Sequence, residues 1–131
     1  MASKEIIKNL VEGAKLSSEH LDCIEKSWVV ENPEGEVVGF AGIERRENIV
    51  YVQSLAVKKK YRRLGIGRRL IDKTFEAINE GDVLIALTMF WNNKFYRDSG
   101  FIHLDAKTTK AADDIAGRKK HKYCVAWGKK K

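Results

Sequence analysis

Ten residues in the middle of the chain, Tyr61 to Leu70, carry the residue types best suited to chemistry. Their sequence, YRRLGIGRRL, places two glycines, one residue apart, between two arginine pairs. Glycines at the start of a helix let a phosphate approach bare amide N–H groups, and the helix dipole adds about half a positive charge there. Guanidinium groups can hold a phosphate through two hydrogen bonds. The stretch therefore predicts a phosphate site, although a flexible helix start on a basic surface is an equally good interpretation.

The spacing of these glycines does not match two well-defined phosphate motifs. No G-x-x-x-x-G-K-[ST] sequence occurs, and Leu70 stands where the dinucleotide fingerprint requires a third glycine. A side chain at Gly65 or Gly67 would obstruct the approach of a phosphate to the amides, but a lone G-x-G is weak evidence for a phosphate site. The glycines alone therefore leave both interpretations open.

The positive charge of the chain extends beyond this stretch. The formal net charge is +7, and an anionic partner follows from it, but polyphosphates, RNA and DNA would all meet that demand. An alternative is that the lysine-rich ends only promote solubility. The basic clusters are Lys58 to Arg63, Arg68 and Arg69, Arg118 to Lys122, and Lys129 to Lys131.

Cysteine and histidine do not have metal-binding spacing in this sequence. Cys23 and Cys124 are about a hundred residues apart, and His20, His103 and His121 are scattered. We therefore expect no metal, no redox motif and two cysteines that act as small buried hydrophobic residues.

The length and composition are those of one folded domain. The chain has 131 residues, of which 44% are hydrophobic and 33% charged, so residues 1–131 are expected to form a single domain with its own core. No apolar run approaches the roughly 20 residues of a membrane span, and the first residues do not resemble a signal peptide. A cytoplasmic location and no membrane partner are therefore expected.

Apolar periodicity and turn residues predict the elements of the first half. Asn32-Pro33-Glu34-Gly35 lies between two apolar runs and suits a hairpin turn. Together with the strand after it, this hairpin predicts an antiparallel meander. The predicted elements are a helix over 4–14, a short helix from Ser17 or Ser18 that buries Leu21 and Ile24, the hairpin, and a strand from Asn48 to Val57.

The second half predicts a parallel crossover around the glycines. A helix begins in the glycine stretch and stops before Gly81, and the apolar run DVLIALTMF suits a strand covered on both faces. NNKFYRDSG predicts another helix, closed by Gly100, and HKYCVAWG predicts the final strand. Residues 106–120 are polar and are expected to be irregular. The fold class is therefore α/β, with a mixed sheet.

These motifs, taken in order, resemble a known superfamily. Arg62, Gly65 and Gly67 match the signature Q/R-x-x-G-x-G/A of the GNAT superfamily of acyl-CoA-dependent N-acyltransferases, and the signature follows a strand here as it does there. NNKFYRDSGF resembles the second CoA element of that superfamily. The similarity covers roughly residues 27–102. IALTMFWNNKFYRDSGF is more similar to the N-acetylglutamate synthase branch than to the protein-modifying branches.

The resemblance implies the fold and the co-substrate. It implies a mixed, mostly antiparallel central sheet with flanking helices, in which the strand before the glycine loop splays from its parallel neighbour and grips the pantetheine arm of acetyl-CoA. The pyrophosphate would lie on the amides of residues 63–68. The implied cofactor-binding residues are Leu55, Ala56, Val57, Arg62, Arg63, Leu64, Gly65, Ile66, Gly67, Arg68 and one or both of Asn92 and Asn93.

The resemblance also implies catalytic roles. Tyr96 occupies the family's tyrosine position and would protonate the departing CoA thiolate, although packing beside Phe95 and Phe101 is an alternative interpretation. Many members carry an acidic residue early in the strand before the glycine loop, where this chain has Tyr51. Glu44 is the substitute candidate for the base, and its alternative is an ordinary solvated charge.

The resulting function is N-acetyl transfer from acetyl-CoA to a primary amine of a small molecule or amino acid, by direct attack in a ternary complex. Two other functions stay open: a CoA-binding module without catalysis, and a basic nucleic-acid-binding domain. A nucleic-acid partner is not expected, because no interleaved aromatic platform or recognition helix is present. Charge mildly favours an acidic acceptor. The chain opens with a helix where the family has a strand, so a homodimer that covers the sheet edge is a further expectation.

Overall fold

The computed structural model describes residues 4–13, 24–88, 92–116 and 125–131 of the chain. Within these ranges, helices and strands alternate along most of the sequence. The helices are α1 (Lys4–Gly13), α2 (Ile66–Ala77), α3 (Asn93–Asp98) and α4 (Ala106–Ala116). The strands are β1 (Lys26–Glu31), β2 (Val37–Arg46), β3 (Ile49–Val57), β4 (Val83–Thr88), β5 (Ile102–Leu104) and β6 (Val125–Lys130), and a short 3-10 turn covers Lys59–Tyr61.

The six strands form one mixed sheet in the order β1-β2-β3-β4-β6-β5. Most neighbours are antiparallel, and β3 and β4 are the parallel pair. A parallel pair needs a crossover connection, which α2 supplies here. The predicted α/β fold and its parallel crossover at the glycine helix are therefore confirmed.

The chain divides into two compact units. The first unit comprises residues 1–44 and 53–76, and the second comprises residues 45–52 and 77–131. The predicted single domain over 1–131 stays a prediction, as does the homodimer.

The core of the first unit forms where α1 packs on the sheet. α1 has apolar residues at helical spacing, and it buries three of them in one cluster. Each such side chain contributes about 1.5–3 kcal/mol when it leaves water completely. The cluster contains Ile7, Leu10, Val11, Val37, Phe40 and Ala56, with the half-buried Ile24 packed against it.

The turn between β1 and β2 is organised by Asn32. The N–H of Gly35 donates to the Asn32 carbonyl (2.9 Å), which closes the turn, and Gly35 has a φ of 82°. The Asn32 side-chain Oδ1 accepts from the N–H groups of Glu34 (3.1 Å) and Glu36 (2.8 Å). An asparagine that bonds the backbone ahead of it mimics a turn hydrogen bond. The predicted hairpin is confirmed.

Helix α2 packs closely on β2 at Gly39. A Cβ atom at Gly39 would lie 2.9 Å from Ile66 Cγ2 and 3.2 Å from Leu70 Cδ1. The absence of a side chain at this strand position therefore lets the first turns of α2 approach the sheet.

The second unit is built around β4 and β6. Their antiparallel ladder runs from Val83 opposite Lys130 to Thr88 opposite Val125. Its apolar cluster comprises Ile49, Tyr51, Ile85 and Ala112, with the half-buried Val83, Leu87 and Leu104 packed against it.

A buried carboxylate stabilises the start of β4. Asp82 is 5% exposed, and its Oδ2 accepts from the Asn79 N–H and from Arg45 Nη1, both at 2.8 Å. Burial by itself would raise the pKa of Asp82. The hydrogen bonds from Asn79 and Arg45, with the charges of Arg45 and Lys131, outweigh it and hold the pKa below its ordinary value of 3.8.

One expectation for the last third of the chain was wrong, and one short strand was missed. Residues 106–116, expected to be irregular, form α4, because Asp105 caps it: its Oδ1 accepts from the Thr108 N–H at 2.7 Å. The three-residue strand β5 was not predicted. The predicted helix from Ser17 and the start of the predicted final strand at His121 lie outside the described residues.

Candidate functional site

The glycine stretch forms the entry to α2. After the 3-10 turn, Arg63 (φ 66°) and Gly65 (φ 81°) adopt left-handed backbone conformations, and α2 begins at Ile66. The first hydrogen bond of the helix runs from the Arg69 N–H to the Gly65 carbonyl (3.0 Å). The amides of Ile66, Gly67 and Arg68 precede that bond, so the helix itself offers them no acceptor. They are the donors that an anion would meet at this helix start.

Gly65 is required by conformation and not by space. A Cβ atom built there has no heavy atom within 4 Å, but its positive φ disfavours any L side chain. Leu64, the preceding residue, is 68% exposed. The loop therefore presents its main chain and an apolar side chain to the surroundings.

Two arginines of the loop already have protein partners. Arg62 Nε donates to the Val57 carbonyl (2.9 Å), which ties the loop back to the end of β3. Arg68 Nε pairs with the Asp72 carboxylate at 3.1 Å, and both side chains are nearly half exposed. Arg62, Arg63 and Arg68 are all exposed at the loop. An anion here would share Arg68 with Asp72.

The turn between β1 and β2 supports the basic segment that precedes the loop. Asn32 Nδ2 donates to the Tyr61 hydroxyl oxygen (3.0 Å), and Lys58 Nζ lies 3.3 Å from Glu36 Oε2. The Lys58 N–H donates to the Val38 carbonyl (2.8 Å). These contacts fix the backbone between the end of β3 and Arg62.

A cavity of about 550 Å³ lies in the first unit beside this segment. Its wall combines three cationic side chains and the Glu36 carboxylate with apolar side chains, so it is basic on balance and partly apolar. The lining residues include Ile6, Leu10, Val37, Val57, Lys58 and Arg62.

The strand before the loop extends beyond its pairing with β4. The β3–β4 register begins with Ile49 opposite Val83 and ends with Tyr51 opposite Ile85, whereas β3 continues to Val57. Of the three residues assigned to the pantetheine arm, Ala56 is buried, and Leu55 and Val57 are half-buried. Backbone groups that leave a ladder must find other partners.

Tyr96 lies on α3 in the second unit and is 5% exposed. Its ring makes edge contacts with Phe95 (centroids 5.0 Å apart) and Phe101 (5.4 Å). Burial raises the pKa of the Tyr96 phenol well above its ordinary value of 10.0. The hydroxyl is therefore protonated at neutral pH and has a proton to donate. The predicted aromatic packing is observed, and it is compatible with that role.

The two asparagines at the start of α3 have partners within the protein. Asn92 Nδ2 donates to Thr88 Oγ1 (2.9 Å), and Asn93 Oδ1 accepts from Trp127 Nε1 (3.1 Å). Asn92 is exposed and Asn93 is half-buried. Their side chains thus hold α3 against β4 and β6, and contact with pantetheine stays a prediction for either residue.

Glu44 is not the solvated charge offered as its alternative interpretation. It lies on β2 in the first unit and is 4% exposed. A carboxylate is seldom buried unless it is paired or hydrogen-bonded. Its burial keeps Glu44 a candidate, and its role as base stays a prediction.

A buried pair in the second unit was not predicted from the sequence. The Tyr51 hydroxyl donates to Asp113 Oδ1 (2.7 Å), and the two residues are 1% and 3% exposed. They are 62 positions apart, and Asp113 belongs to a segment that was expected to be irregular. No local pattern signals such a pair.

The site residues predicted from the sequence are divided between the two units. The first unit contains Glu44, residues 55–57 and residues 62–68, and the second contains Asn92, Asn93 and Tyr96. In the described ranges, no group of three or more histidine, cysteine, aspartate or glutamate residues is placed to hold a metal ion. No helix in those ranges combines the length and apolar character needed to cross a membrane.

The chain matches several solved structures in fold. It is similar to a GNAT-family acetyltransferase from Staphylococcus aureus Mu50, with a TM-score of 0.67, 19% identity, and coverage of 96% of this chain and 91% of that one. It is also similar to the catalytic domain of a histone acetyltransferase from Tetrahymena in complex with coenzyme A (TM-score 0.68, 17% identity, 95% and 82% coverage).

A third match is the N-acetylglutamate synthase from Neisseria gonorrhoeae, complexed with coenzyme A and N-acetyl-glutamate (TM-score 0.70, 16% identity). That match covers 94% of this chain but 31% of the synthase. Likeness to the synthase and to the histone enzyme is similar in extent, so it supports the fold and does not select a branch.

The chain also matches a protein family in sequence. The family described as Acetyltransferase (GNAT) domain matches residues 24–103, which include β1 to β4, the glycine loop and Tyr96. This is more than half of the chain, and the match contains both motifs on which the resemblance rested. The chain therefore belongs to the GNAT family of acetyltransferases.

Proposed function

We propose that this GNAT acetyltransferase transfers the acetyl group of acetyl-CoA to a primary amine of a small molecule or amino acid, by direct attack of the amine in a ternary complex. The observation that carries the proposal is the helix start at Gly65. Three successive amides, Ile66 to Arg68, precede the first helical hydrogen bond, and arginines flank them.

The loop suits a diphosphate better than a single charge. Its donors are main-chain N–H groups, and the left-handed conformation of Gly65 fixes their direction. No side chain has to be ordered for these groups to bind a phosphate. Arg62, Arg63 and Arg68 add charge at the rim. The residues proposed to hold the diphosphate are therefore 63–68, and Arg62 acts partly by fixing Val57.

The neighbouring features accommodate the rest of such a co-substrate. The β3 backbone at Leu55, Ala56 and Val57 lies beyond the ladder with β4, so its N–H and C=O groups are proposed to bind the amide-rich pantetheine arm. A main-chain N–H in this stretch would also polarise the thioester carbonyl. Two similar enzymes, from N. gonorrhoeae and from Escherichia coli (24% identity), have structures that contain CoA.

Tyr96 is proposed as the proton donor to the departing thiolate. Its raised pKa keeps the phenol protonated over the physiological pH range, and its two aromatic contacts fix the ring. Acetyl-CoA supplies an activated acyl group, and its thiolate is the group that needs a hydrogen-bond donor. Glu44 is the proposed acceptor for the amine proton, because it is a buried carboxylate on β2.

The direct test of co-substrate binding is calorimetric titration of acetyl-CoA into the wild-type protein and the Gly67→Glu variant at moderate salt. The new carboxylate would lie in the first turn of α2, where it would block the amides and repel phosphate. We expect saturable binding in the wild type and a loss of at least about tenfold in affinity in the variant, equivalent to about 1.4 kcal/mol.

The matched control is Asn79→Glu, which adds the same charge beyond the other end of α2, at an exposed residue. It is expected to bind acetyl-CoA like the wild type. Equal binding by all three proteins would remove the loop from the site. Saturable binding without thiol release in the presence of any amine would instead identify a CoA-binding module.

A further inference from the structure

The cavity in the first unit adjoins the glycine loop along the chain. Arg62 lines the cavity and directly precedes Arg63, the first residue assigned to the diphosphate. Three further residues span at most about 11 Å, so the Gly65 backbone lies close to the cavity wall. The volume of about 550 Å³ is within the range of roughly 300–1,000 Å³ that is usual for small-molecule sites. All of the lining residues belong to the first unit. A ligand held by the loop therefore has a space for its other groups within reach.

The three cations of the cavity wall differ in the partners that they already have. Lys58 Nζ lies 3.3 Å from Glu36 Oε2, so these two charges offset each other. Arg62 uses its Nε for the Val57 carbonyl, and its terminal guanidinium nitrogens have no partner among the described residues. Lys59 is exposed, and its ammonium group forms neither a hydrogen bond nor an ion pair with a described residue. Lys59 and Arg62 can therefore both bind an anion in the cavity.

The α1 side of the cavity presents an apolar side chain that folding does not bury. Ile6 is 49% exposed, whereas its neighbour Ile7 is 8% exposed. Covering an exposed isoleucine with an apolar ligand group is favourable. Asn9 also lines the cavity, and its side-chain amide has no partner in the part of the chain that the structure describes. An asparagine amide can form two hydrogen bonds to the edge of an adenine. This wall therefore suits a flat base with an apolar face and a polar edge.

The proposed co-substrate carries a group for each of these features. The ribose of CoA bears the diphosphate on its 5′ oxygen, a phosphate monoester on its 3′ oxygen, and adenine. A phosphate monoester has about 1.5–2 negative charges at pH 7. In the proposed function the amides of Ile66 to Arg68 bind the diphosphate, so the 3′-phosphate requires cations of its own.

We propose that the cavity binds the adenosine 3′-phosphate end of acetyl-CoA, an inference that rests on the proposed function. Lys59 and the terminal nitrogens of Arg62 bind the 3′-phosphate. The adenine ring lies against Ile6, and Asn9 bonds to its edge. Lys59 is therefore a specificity-determining residue, which distinguishes acetyl-CoA from its 3′-dephospho form.

The experiment compares acetyl-CoA with 3′-dephospho-acetyl-CoA by calorimetric titration into the wild type and Lys59→Met. Methionine keeps an unbranched side chain and removes the charge. We expect the wild type to bind acetyl-CoA about 5- to 30-fold more tightly than the dephospho form. Lys59→Met is expected to bind acetyl-CoA about 3- to 10-fold more weakly than the wild type, and the dephospho form within about twofold. The four affinities form a cycle that isolates the interaction of Lys59 with the 3′-phosphate.

Lys60→Met is the matched control for the change in net charge. Lys60 is exposed, does not line the cavity, and places its Nζ 5.8 Å from the centre of the Tyr61 ring. It is expected to weaken both ligands alike and by less than about twofold, because an exposed charge outside the site acts only at long range. Circular dichroism checks that both methionine variants are folded.

Ile6→Ala tests the position of the adenine. It is expected to weaken acetyl-CoA and the dephospho form by the same factor, about 2- to 10-fold, because both carry adenine. The control is Val29→Ala, which shortens another exposed apolar side chain, 39% exposed, on β1 and outside the cavity lining. Val29→Ala is expected to bind both ligands like the wild type.

The outcomes separate the inference from the proposed function. Equal affinity of the wild type for the two ligands would overturn the inference and leave acetyl transfer standing. Equal losses in Lys59→Met and Lys60→Met for both ligands would also overturn it, since net charge would then explain the result. Adenosine 3′,5′-bisphosphate contains no thioester. If its binding depends on Lys59 while no amine releases thiol from acetyl-CoA, the cavity site is supported and acetyl transfer is wrong. Absence of binding by the wild type to all three compounds would overturn both proposals.

Discussion

The glycine loop and the surroundings of Tyr96 use different parts of the polypeptide. The loop, residues 62–68, offers main-chain amides and exposed cations, and its shape depends on left-handed backbone at Arg63 and Gly65. Tyr96 offers one side chain, buried and held between two aromatic rings. The comparison indicates that binding and proton transfer depend on separable features, so variants should change one without the other.

The largest expected effect is on the chemical step. Tyr96→Phe keeps the ring and both edge contacts and removes only the hydroxyl. We expect kcat to fall by about 10²- to 10³-fold while the Kd for acetyl-CoA changes less than about twofold. Because burial raises the pKa of Tyr96, no loss of wild-type activity from its ionisation is expected below its ordinary value of 10.0. Stopped-flow thiol release and calorimetry measure the two quantities.

A weakened Kd with unchanged kcat in Tyr96→Phe would contradict the comparison, since Tyr96 would then be a binding residue. Circular dichroism of the variant serves as the control for folding, because an aromatic residue of nearly the same volume should leave the core intact.

The next effect is on binding. Gly65→Ala introduces a side chain that contacts nothing but strains the backbone at φ 81°, by about 1–2 kcal/mol. The loop is expected to relax and to misdirect the amides at the start of α2, which would weaken acetyl-CoA binding by about 5- to 30-fold. The kcat at saturating acetyl-CoA is expected to stay within about twofold of the wild type.

Gly128→Ala supplies the contrast to Gly65→Ala. Its Cβ would lie 3.0 Å from Leu104 Cδ1, in the second unit, so the Leu104 side chain must shift and the substitution is expected to change the free energy of unfolding without altering the loop. Acetyl-CoA binding should be unchanged. If Gly128→Ala weakened binding as much as Gly65→Ala, general destabilisation would explain both results.

The smallest expected effect is the contribution of Asp82 to the free energy of unfolding, which depends on pH. The pKa of Asp82 is lowered in the folded protein, so its ionised form stabilises the fold. That contribution is present above the ordinary pKa of 3.8 and is lost as pH falls through the lower, folded pKa. The urea midpoint of the wild type is expected to exceed that of Asp82→Asn by about 0.5 M at pH 6, and the difference should shrink towards pH 3.

A difference between wild type and Asp82→Asn that grew on acidification would contradict the assigned direction of the pKa shift. If the expected result is obtained, changes in rate above pH 5 reflect groups other than Asp82. That window is the one in which variants of Tyr96 and Glu44 are to be compared.

The predictable part of the fold is the part with strong local patterns. α1 and α2 have apolar residues at helical spacing, and the hairpin has Asn32 and Gly35 at its turn, so each was predicted within a few residues. The parallel pairing of β3 and β4 followed from the strand-helix-strand order. The glycine loop is equally local, which is why its residues could be named from sequence.

The unpredicted part depends on contacts between distant residues. α4 presents a weak apolar face with two threonines in its first turns, and its clearest signal was the cap at Asp105. β5 is three residues long, which is too short for a period-2 pattern. Packing against the sheet determines the burial of Glu44 and the hydrogen bond between Tyr51 and Asp113. A short window of sequence carries no information on that packing.

Asn32, whose side chain supports the basic segment, is protected from deamidation by the residue that follows it. Asparagine residues age by deamidation, in which the backbone nitrogen of the next residue attacks the side-chain amide to form a succinimide. The next residue here is Pro33, whose backbone nitrogen carries no hydrogen, so this route is blocked. Conversion to aspartate would remove the Nδ2 donor that binds the Tyr61 hydroxyl. Pro33 thus protects the Asn32 side-chain amide, which would deamidate faster if glycine followed it.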